Sequence, residues 1–225
     1  MPSKRCRAAQ QLIDVKKSYP IDEAMALMKQ TATTKFDSSV EVHVKLGIDP
    51  GKADQSVRST AQLPHGTGKK LSIAVFAKGA AAKAAKDAGA DTVGDDELIA
   101  EIKKTGKTDF DIALAAPEMM KLLAPIAKTL GTKGLMPNPK NDTVTADPAA
   151  AVKALRSGKI AFRSDNTGNV HQIIGKASFP SAQLKANLET FLDALKKAKP
   201  SDTKGTYLKS VTLTSSMGPG IKITK

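Results

Sequence analysis

Hydroxyl side chains recur at every second position near the C-terminal end of the chain. Ser210, Thr212 and Thr214 alternate with apolar residues, which is typical of a β-strand with one polar face. The turn at residues 215–220 contains two glycines and a proline, and a return strand follows it. A row of hydroxyls beside such a turn is suited to hydrogen bonding with RNA phosphates and ribose 2′-hydroxyls. The alternative interpretation is a polar sheet face with Met217 folded back onto the domain.

The residue types that carry catalysis are sparse and scattered. His43, His65 and His171 have no partners at metal-ligand spacing, and His43 lies on the polar side of a predicted strand, as surface residues do. Residues 66–69, Gly-Thr-Gly-Lys, resemble part of a phosphate-binding loop. Leu and Lys occupy the flanking positions where that motif requires Gly and Ser or Thr. We therefore expect no catalytic residues, no metal and no cofactor.

A constrained segment lies at residues 131–140. It combines two glycines, two prolines and two lysines. Each proline fixes its own φ angle and restricts the residue before it, so this loop has few conformations. The residue types leave two interpretations open, a rigid connection between a helix and a strand or a loop that faces phosphate.

The net charge indicates the class of partner. The 225 residues include 35 Lys and Arg and 22 Asp and Glu, a formal charge of +13. Such a charge favours an anionic polymer or an acidic membrane surface. With six Phe, two Tyr and no Trp, the chain lacks the paired surface aromatics of base-stacking RNA modules. We therefore expect RNA to be recognised through shape, backbone and sugar contacts.

The compartment follows from what the sequence lacks. The single cysteine, Cys6, excludes an internal disulfide and a cysteine-based zinc site. The basic segment around it continues into glutamines rather than into an apolar stretch, so we expect no signal peptide. The longest apolar stretches have about six residues, against the roughly 18 needed to span a bilayer. These features predict a cytoplasmic protein that does not associate with a membrane.

Two styles of hydrophobic pattern divide the chain. Residues 67–158 alternate short apolar runs with helical patterns, which is typical of a parallel sheet covered on both sides. Residues 1–66 and 159–225 instead contain alternating strands and amphipathic helices. We predict a split α+β domain formed by both termini, with an inserted three-layer α/β domain. The net charges of the three segments in chain order are +3, +3 and +7, so we place the nucleic-acid surface on the split domain.

The same periodicity predicts the individual elements. Helices are expected at residues 21–29, 80–88, 95–103, 118–130, 147–155 and 181–197. Strands are expected at residues 40–46, 57–63, 71–76, 90–94, 111–116, 170–174, 208–214 and 221–225. The helix at 118–130 would place four side chains on one face, namely those of Leu122, Leu123, Ile126 and Leu130.

Several segments resemble, in order, those of one known family. The loop at 131–140 resembles the signature loop of the large-subunit ribosomal protein one family, the proteins of the mobile stalk at the tRNA exit side. The similarity covers nearly the whole chain at the bacterial length. The other segments that resemble the family's blocks are 35–37, 40–50, 63–69, 162–168, 174–179 and 214–219.

That resemblance implies a fold and a set of partners. It implies that the domain holding both termini binds RNA, and that the inserted domain is Rossmann-like without a nucleotide. The implied partners are the stalk region of large-subunit ribosomal RNA, exit-site tRNA and the leader of the protein's own mRNA. The implied roles are stalk movement during release of deacylated tRNA and translational repression of its own operon. The protein would be a monomer outside the ribosome.

The resemblance also implies which residues contact RNA. The positions that match the family's contact residues are Phe36, Asp165, Asn166, Thr167, Ser210, Ser216, Met217 and Gly218. Many relatives have Thr where Ser216 stands, and the hydroxyl is retained. Two alternative functions stay open at this stage, a structural RNA-binding protein without a regulatory role and an α/β enzyme.

Overall fold

The computed structural model describes residues 4–14, 16–203 and 205–224. These residues divide into two compact units. The first unit comprises the chain up to Lys69 and again from Ile160 onward, and the second comprises Lys70–Lys159. Helices and strands occur together in both, so the predicted mixture of α/β and α+β structure is confirmed. Independent folding of a split domain stays a prediction.

Seven α-helices and nine strands, joined by short 3-10 helices, follow one another along the described residues. Their order is α1 (Lys4–Gln11), α2 (Ile21–Thr31), β1 (Ser39–Leu46), β2 (Arg58–Gln62), β3 (Ile73–Phe76), α3 (Gly79–Asp87), β4 (Thr92–Gly94), α4 (Asp96–Thr105), β5 (Ile112–Ala115), α5 (Ala127–Thr132), α6 (Pro148–Arg156), β6 (Lys159–Arg163), β7 (Asn169–Lys176), α7 (Ser181–Lys197), β8 (Leu208–Ser215) and β9 (Ile221–Ile223).

The first unit is built on an antiparallel sheet with the strand order β7–β1–β8–β9. Along the central strand β1, the side chains of Val40, Val42 and Val44 are fully buried, while the polar side chains between them are partly exposed. Helices α2 and α7 cover the apolar face, and β2 and β6 form a separate two-stranded sheet. One face of the larger sheet is therefore left for polar groups.

The second unit is built on a parallel sheet with the strand order β4–β3–β5. Ile73 and Val75 of β3 pack in a cluster with residues of α3 and α6. Ala74 and Phe76 point the other way, into a cluster with residues of α4, α5 and the 3-10 helices. All four residues of β3 are buried, because helices cover both faces.

The predicted helix at 118–130 is wrong. Two 3-10 helices, Pro117–Met120 and Ala124–Ile126, precede the short α5. Pro125 has no backbone N–H and its ring crowds the carbonyl of the preceding turn, which disfavours one continuous α-helix across this segment. Leu122 is 39% exposed, whereas the other three residues of the expected stripe are buried.

One α-helix and one strand have no counterpart among the predicted elements. Helix α1 buries only Ala9, so it lacks the apolar stripe that marks an amphipathic helix in the sequence. Strand β6 does alternate, with Ile160 and Phe162 buried, but its five residues follow α6 directly. A short strand of this kind is easily taken for the end of a helix segment.

Candidate nucleic-acid interface

The polar face of the antiparallel sheet carries cross-strand rows of side chains. The rows that cross β7, β1 and β8 are Ile173–Glu41–Thr214, His171–His43–Thr212 and Asn169–Lys45–Ser210. Lys222 of β9 pairs with Thr212 and extends the middle row. The predicted hydroxyl row, Ser210, Thr212 and Thr214, therefore lies on β8, a strand inside the sheet between β1 and β9.

The turn after β8 presents Met217 to solvent. Met217 is 71% exposed, and its φ of 65° lies in the left-handed region that L-residues rarely adopt. The backbone N–H of Ser216 donates to the carbonyl oxygen of Ser39 at 2.9 Å, which fixes the turn to the start of β1. The interpretation that Met217 folds back onto the domain is therefore wrong.

A side chain at Gly218 would crowd this turn. A Cβ atom at that position would lie 2.3 Å from Oγ of Ser215 and 3.2 Å from its carbonyl oxygen. The N–H of Gly218 donates to that carbonyl at 2.8 Å, and the hydroxyl of Thr214 has three carbonyl oxygens within reach of its one hydrogen, those of Ser215 at 3.1 Å, Gly218 at 3.2 Å and Pro219 at 3.3 Å. The turn is held in one conformation before any ligand arrives, which lowers the entropy lost on binding.

Two further groups lie at the same end of the sheet. Phe36 is 59% exposed just before β1, and its loop is held by the carboxylate of Asp37. That carboxylate accepts hydrogen bonds from the backbone N–H of Ser178 at 3.1 Å and from its hydroxyl at 2.9 Å. The guanidinium of Arg5 lies 3.4 Å from the carbonyl oxygen of Met217 and brings a cation to the turn.

The turn between β6 and β7 is organised by Asp165. Its carboxylate accepts the N–H of Asn169 at 2.7 Å, and the N–H and hydroxyl of Thr167 at 2.8 Å each. These hydrogen bonds, that from the Asn169 N–H first, hold the pKa of Asp165 well below its usual range against the opposing effect of desolvation. Asp165 thus serves its own turn, while Asn166 and Thr167 are exposed.

The predicted contact residues form two groups. Lys45, at the end of β1, donates through Nζ to the carbonyl oxygen of Thr167 and pairs across strands with Ser210. The 165–167 turn and Ser210 therefore lie at this end of the sheet. Phe36 and the 216–218 turn lie at the other, about 20 Å away at 3.3 Å per residue along β1.

The residues between the two groups were missed by the motif analysis. Glu41, His43 and Lys45 share the polar face of β1, and the strict alternation of this strand is the signal that could have found them. The pairing of His43 with His171 could not be deduced from spacing. A groove of about 470 Å³ also opens near Ser210, and its lining includes Ser18, Lys209, Lys222 and Thr224.

The loop at 131–140 has the contacts of a rigid connection. The side chain of Asn138 accepts the N–H of Lys140 at 2.8 Å, and its backbone N–H donates to the hydroxyl of Thr143 at 2.7 Å. The ammonium of Lys133 lies 2.8 Å from the hydroxyl of Thr108. Leu135 and Met136 pack against the core of the second unit. These contacts favour the first of the two interpretations.

The described ranges contain neither a metal-binding cluster nor a membrane-spanning helix. Over residues 4–14, 16–203 and 205–224, no group of three or more His, Cys, Asp or Glu side chains could hold a metal ion. Of the helices in the same ranges, none has both the length and the apolar character needed to cross a bilayer.

Comparison with known proteins points to one family. Residues 28–219 match the model of the ribosomal protein L1p/L10e family. Over 221 residues the chain is 50% identical to the large ribosomal subunit protein uL1 of Kosmotoga olearia, covering 98% of this chain and 95% of that protein. The proteins of the same name from Proteus mirabilis and Methylobacillus flagellatus are 51% and 52% identical over the same length, covering 98% of this chain and 94% and 96% of theirs.

Proposed function

The chain belongs to the ribosomal protein L1p/L10e family, and from this premise we propose that it is a structural constituent of the large ribosomal subunit. Its similarity to relatives that are named as large-subunit proteins extends over nearly their full length. The family is one of ribosomal proteins, so the chain is not an enzyme. We propose that its ligand is the stalk region of the large-subunit ribosomal RNA.

The observation that carries this proposal is the polar sheet face with a preorganised turn at each end. The hydroxyls of Ser210 and Thr212 on this face can donate to phosphate oxygens and exchange hydrogen bonds with ribose 2′-hydroxyls, whereas that of Thr214 holds the turn. At one end Phe36 and Met217 expose apolar surface, which can pack against sugars or bases. Because fixed turns lose little entropy on binding, a few hydrogen bonds and a matching shape can give useful affinity.

The predicted contact residues take different roles in this proposal. Phe36, Ser210, Ser216 and Met217 would touch RNA together with the exposed Asn166 and Thr167. Asp165 and Gly218 would act mainly by holding the two turns in shape, since their contacts are made within the protein. The split domain formed by residues 1–66 and 159–225 would carry the RNA site.

Three finer roles are proposed from the family resemblance. The protein would assist release of deacylated tRNA from the exit site, would bind the leader of its own mRNA, and would repress translation of its own operon. Outside the ribosome it would act as a monomer in the cytoplasm. A structural RNA-binding protein without the regulatory role is the second candidate, because repression depends on a messenger site outside the chain.

Footprinting on two RNAs tests these proposals. The protein is bound to a transcript of the ribosomal stalk region and to the leader of its own mRNA. We expect protection of one shared local structure in both RNAs, and a translational reporter fused to the leader should be repressed. Protection of the ribosomal RNA alone would support the second candidate, and protection of neither would overturn the RNA-binding proposal.

A further inference from the structure

Two histidines that are 128 residues apart in sequence touch at the centre of the polar sheet face. His43 of β1 and His171 of β7 are direct cross-strand partners, and their Nδ1 atoms are 2.7 Å apart. The rings meet edge to face with centroids 4.9 Å apart. Their side chains are 34% and 54% exposed, so a ligand on this face can reach them.

The distance between the rings limits how many protons the pair can carry. A separation of 2.7 Å is that of one N–H···N hydrogen bond, so one ring donates from Nδ1 and the other accepts. In the neutral pair, the donor ring has an unprotonated Nε2, and the accepting ring carries its proton on Nε2. One further proton enters at the donor's Nε2 and leaves the shared hydrogen bond intact. A second would place two N–H groups face to face, so the closed pair is either neutral or singly charged.

The charged groups around the pair come from three elements and one turn. Nε2 of His43 lies 3.8 Å from Oε2 of Glu41, and Nε2 of His171 lies 3.5 Å from Oδ2 of Asp165. Cations on this face include Lys45 on β1, Lys222 on β9 and, farther along the face, Lys176 of β7, whose Nζ lies 3.0 Å from Oγ of Ser39. The facing residue of β8, Thr212, has no charge. With a neutral pair, the charges within 4 Å of the rings are the two carboxylates, so protonation of the pair lowers the repulsion that a phosphate meets at the central row.

Burial first, and the imidazole of His171 second, lower the pKa of His43, which Glu41 partly offsets. The lowered pKa favours the neutral form of this ring in the free protein. A phosphodiester placed against the face adds negative charge beside the pair and favours its protonated form. Binding of the anion and uptake of the proton are then coupled, and the affinity rises as the pH falls.

We propose that the His43–His171 pair is an RNA-phosphate contact that takes up one proton from solvent when RNA binds. The proposal rests on the proposed RNA-binding function and adds contact residues between the two predicted groups. The acceptor of the proton is the free Nε2 of the donor ring, and the protonated pair then donates from both Nε2 atoms. The pair would make RNA affinity depend on pH through a single ionisation.

The test is a set of affinities for a transcript of the ribosomal stalk region at about pH 8 and about pH 6, at constant ionic strength. The intact protein is compared with the variants His43→Gln and His171→Gln. The matched control is His65→Gln, because His65 is the remaining histidine of the chain and lies exposed outside the sheet. Ionisation of RNA bases affects all four proteins equally, so the difference between them isolates the pair.

We expect the intact protein and the control to bind at least about fivefold more tightly at the lower pH, and at most about tenfold more per pH unit, the limit for one proton. Both sheet variants should lose this gain. A purely structural role would lower their melting temperatures and leave the gain unchanged, which would overturn the proposal. Tight binding with no gain in the intact protein would also overturn it while leaving the RNA-binding function standing. Absence of binding at either pH would refute both.

Discussion

The sheets of the two units differ in what they leave exposed. In the second unit, β3 is buried along all four residues because helices cover both faces of a parallel sheet. In the first unit, α2 and α7 cover one face, and β1 alternates buried valines with polar groups on the other. A covered sheet can act only through its loops and rims, whereas an open sheet offers a continuous surface with fixed spacing.

The contrast separates stability from recognition. Residues of the covered sheet should matter for folding alone, and residues of the open face for RNA alone. The exceptions should be groups such as Asp165 and Gly218, which hold the shape of a turn at the edge of the open face. Four experiments test this division, beginning with the largest expected effect.

The covered sheet should tolerate truncation poorly. Phe76 is fully buried in edge-to-face contact with Phe110, with ring centroids 6.3 Å apart. Phe76→Ala should cost the second unit about 3–5 kcal/mol of unfolding free energy, as large core truncations do. Hydrogen exchange should show lost protection in β3 and β5, while RNA affinity changes less than about twofold, because sites without shared partners act independently. The control is Leu122→Ala, at a partly exposed position of the same unit. A fall in the RNA affinity of Phe76→Ala that parallels its loss of stability would contradict the division.

The open face should show the opposite pattern at Met217. Met217→Asp removes an exposed apolar contact and adds a negative charge, so RNA affinity should fall at least about tenfold, or 1.4 kcal/mol. The melting temperature should hardly change, because an exposed tip contributes little to the core. Anisotropy and thermal melts measure the two quantities, and Leu122→Asp is the matched exposed control. A lower melting temperature with unchanged RNA binding would show that Met217 serves the fold.

Removal of the second unit should affect RNA binding only modestly. A protein in which residue 66 is joined to residue 159 should bind the stalk transcript within about tenfold of the whole chain. The reason is that the polar face and both turns belong to the first unit. Circular dichroism establishes that the shortened protein is folded. If affinity collapses in a folded product, the inserted unit is part of the primary RNA site.

The smallest expected effect concerns acid stability at the 165–169 turn. The pKa of Asp165 is lowered in the folded protein, so its contribution to stability is present above the unfolded value of about 4 and is lost as the pH falls below it. Asp165→Asn should therefore lower the melting temperature slightly at pH 7 and flatten its decline between about pH 5 and pH 3. Asp193→Asn, at an exposed position of α7, is the control. An equal decline in both variants would mean that Asp165 does not hold the turn.

Local sequence patterns predicted the strands of the two larger sheets better than the segments that connect those strands. The alternation of Val40, Val42 and Val44 with polar residues was enough to place β1 with one buried face. The helix expected at 118–130 failed because an apolar stripe was weighted above Pro125, which interrupts the α-helical hydrogen bonds. Ser210 and Met217 were singled out from the residue pattern and the full set of site residues from a resemblance, whereas their separation into two groups follows from the length of β1.

The sequence by itself determined the class of surface, since alternation, hydroxyl spacing and net charge are properties of residue type and order. Its segments also carried the family, because the signature loop and its companions occur in order along the chain. Only the tertiary structure decided that His43 meets His171 and that Lys45 reaches Thr167. Strand register is set by backbone pairing across long connections, including the irregularity of the β1–β7 pair between Val40 and Glu41, and a shift of one residue would turn every side chain to the other face.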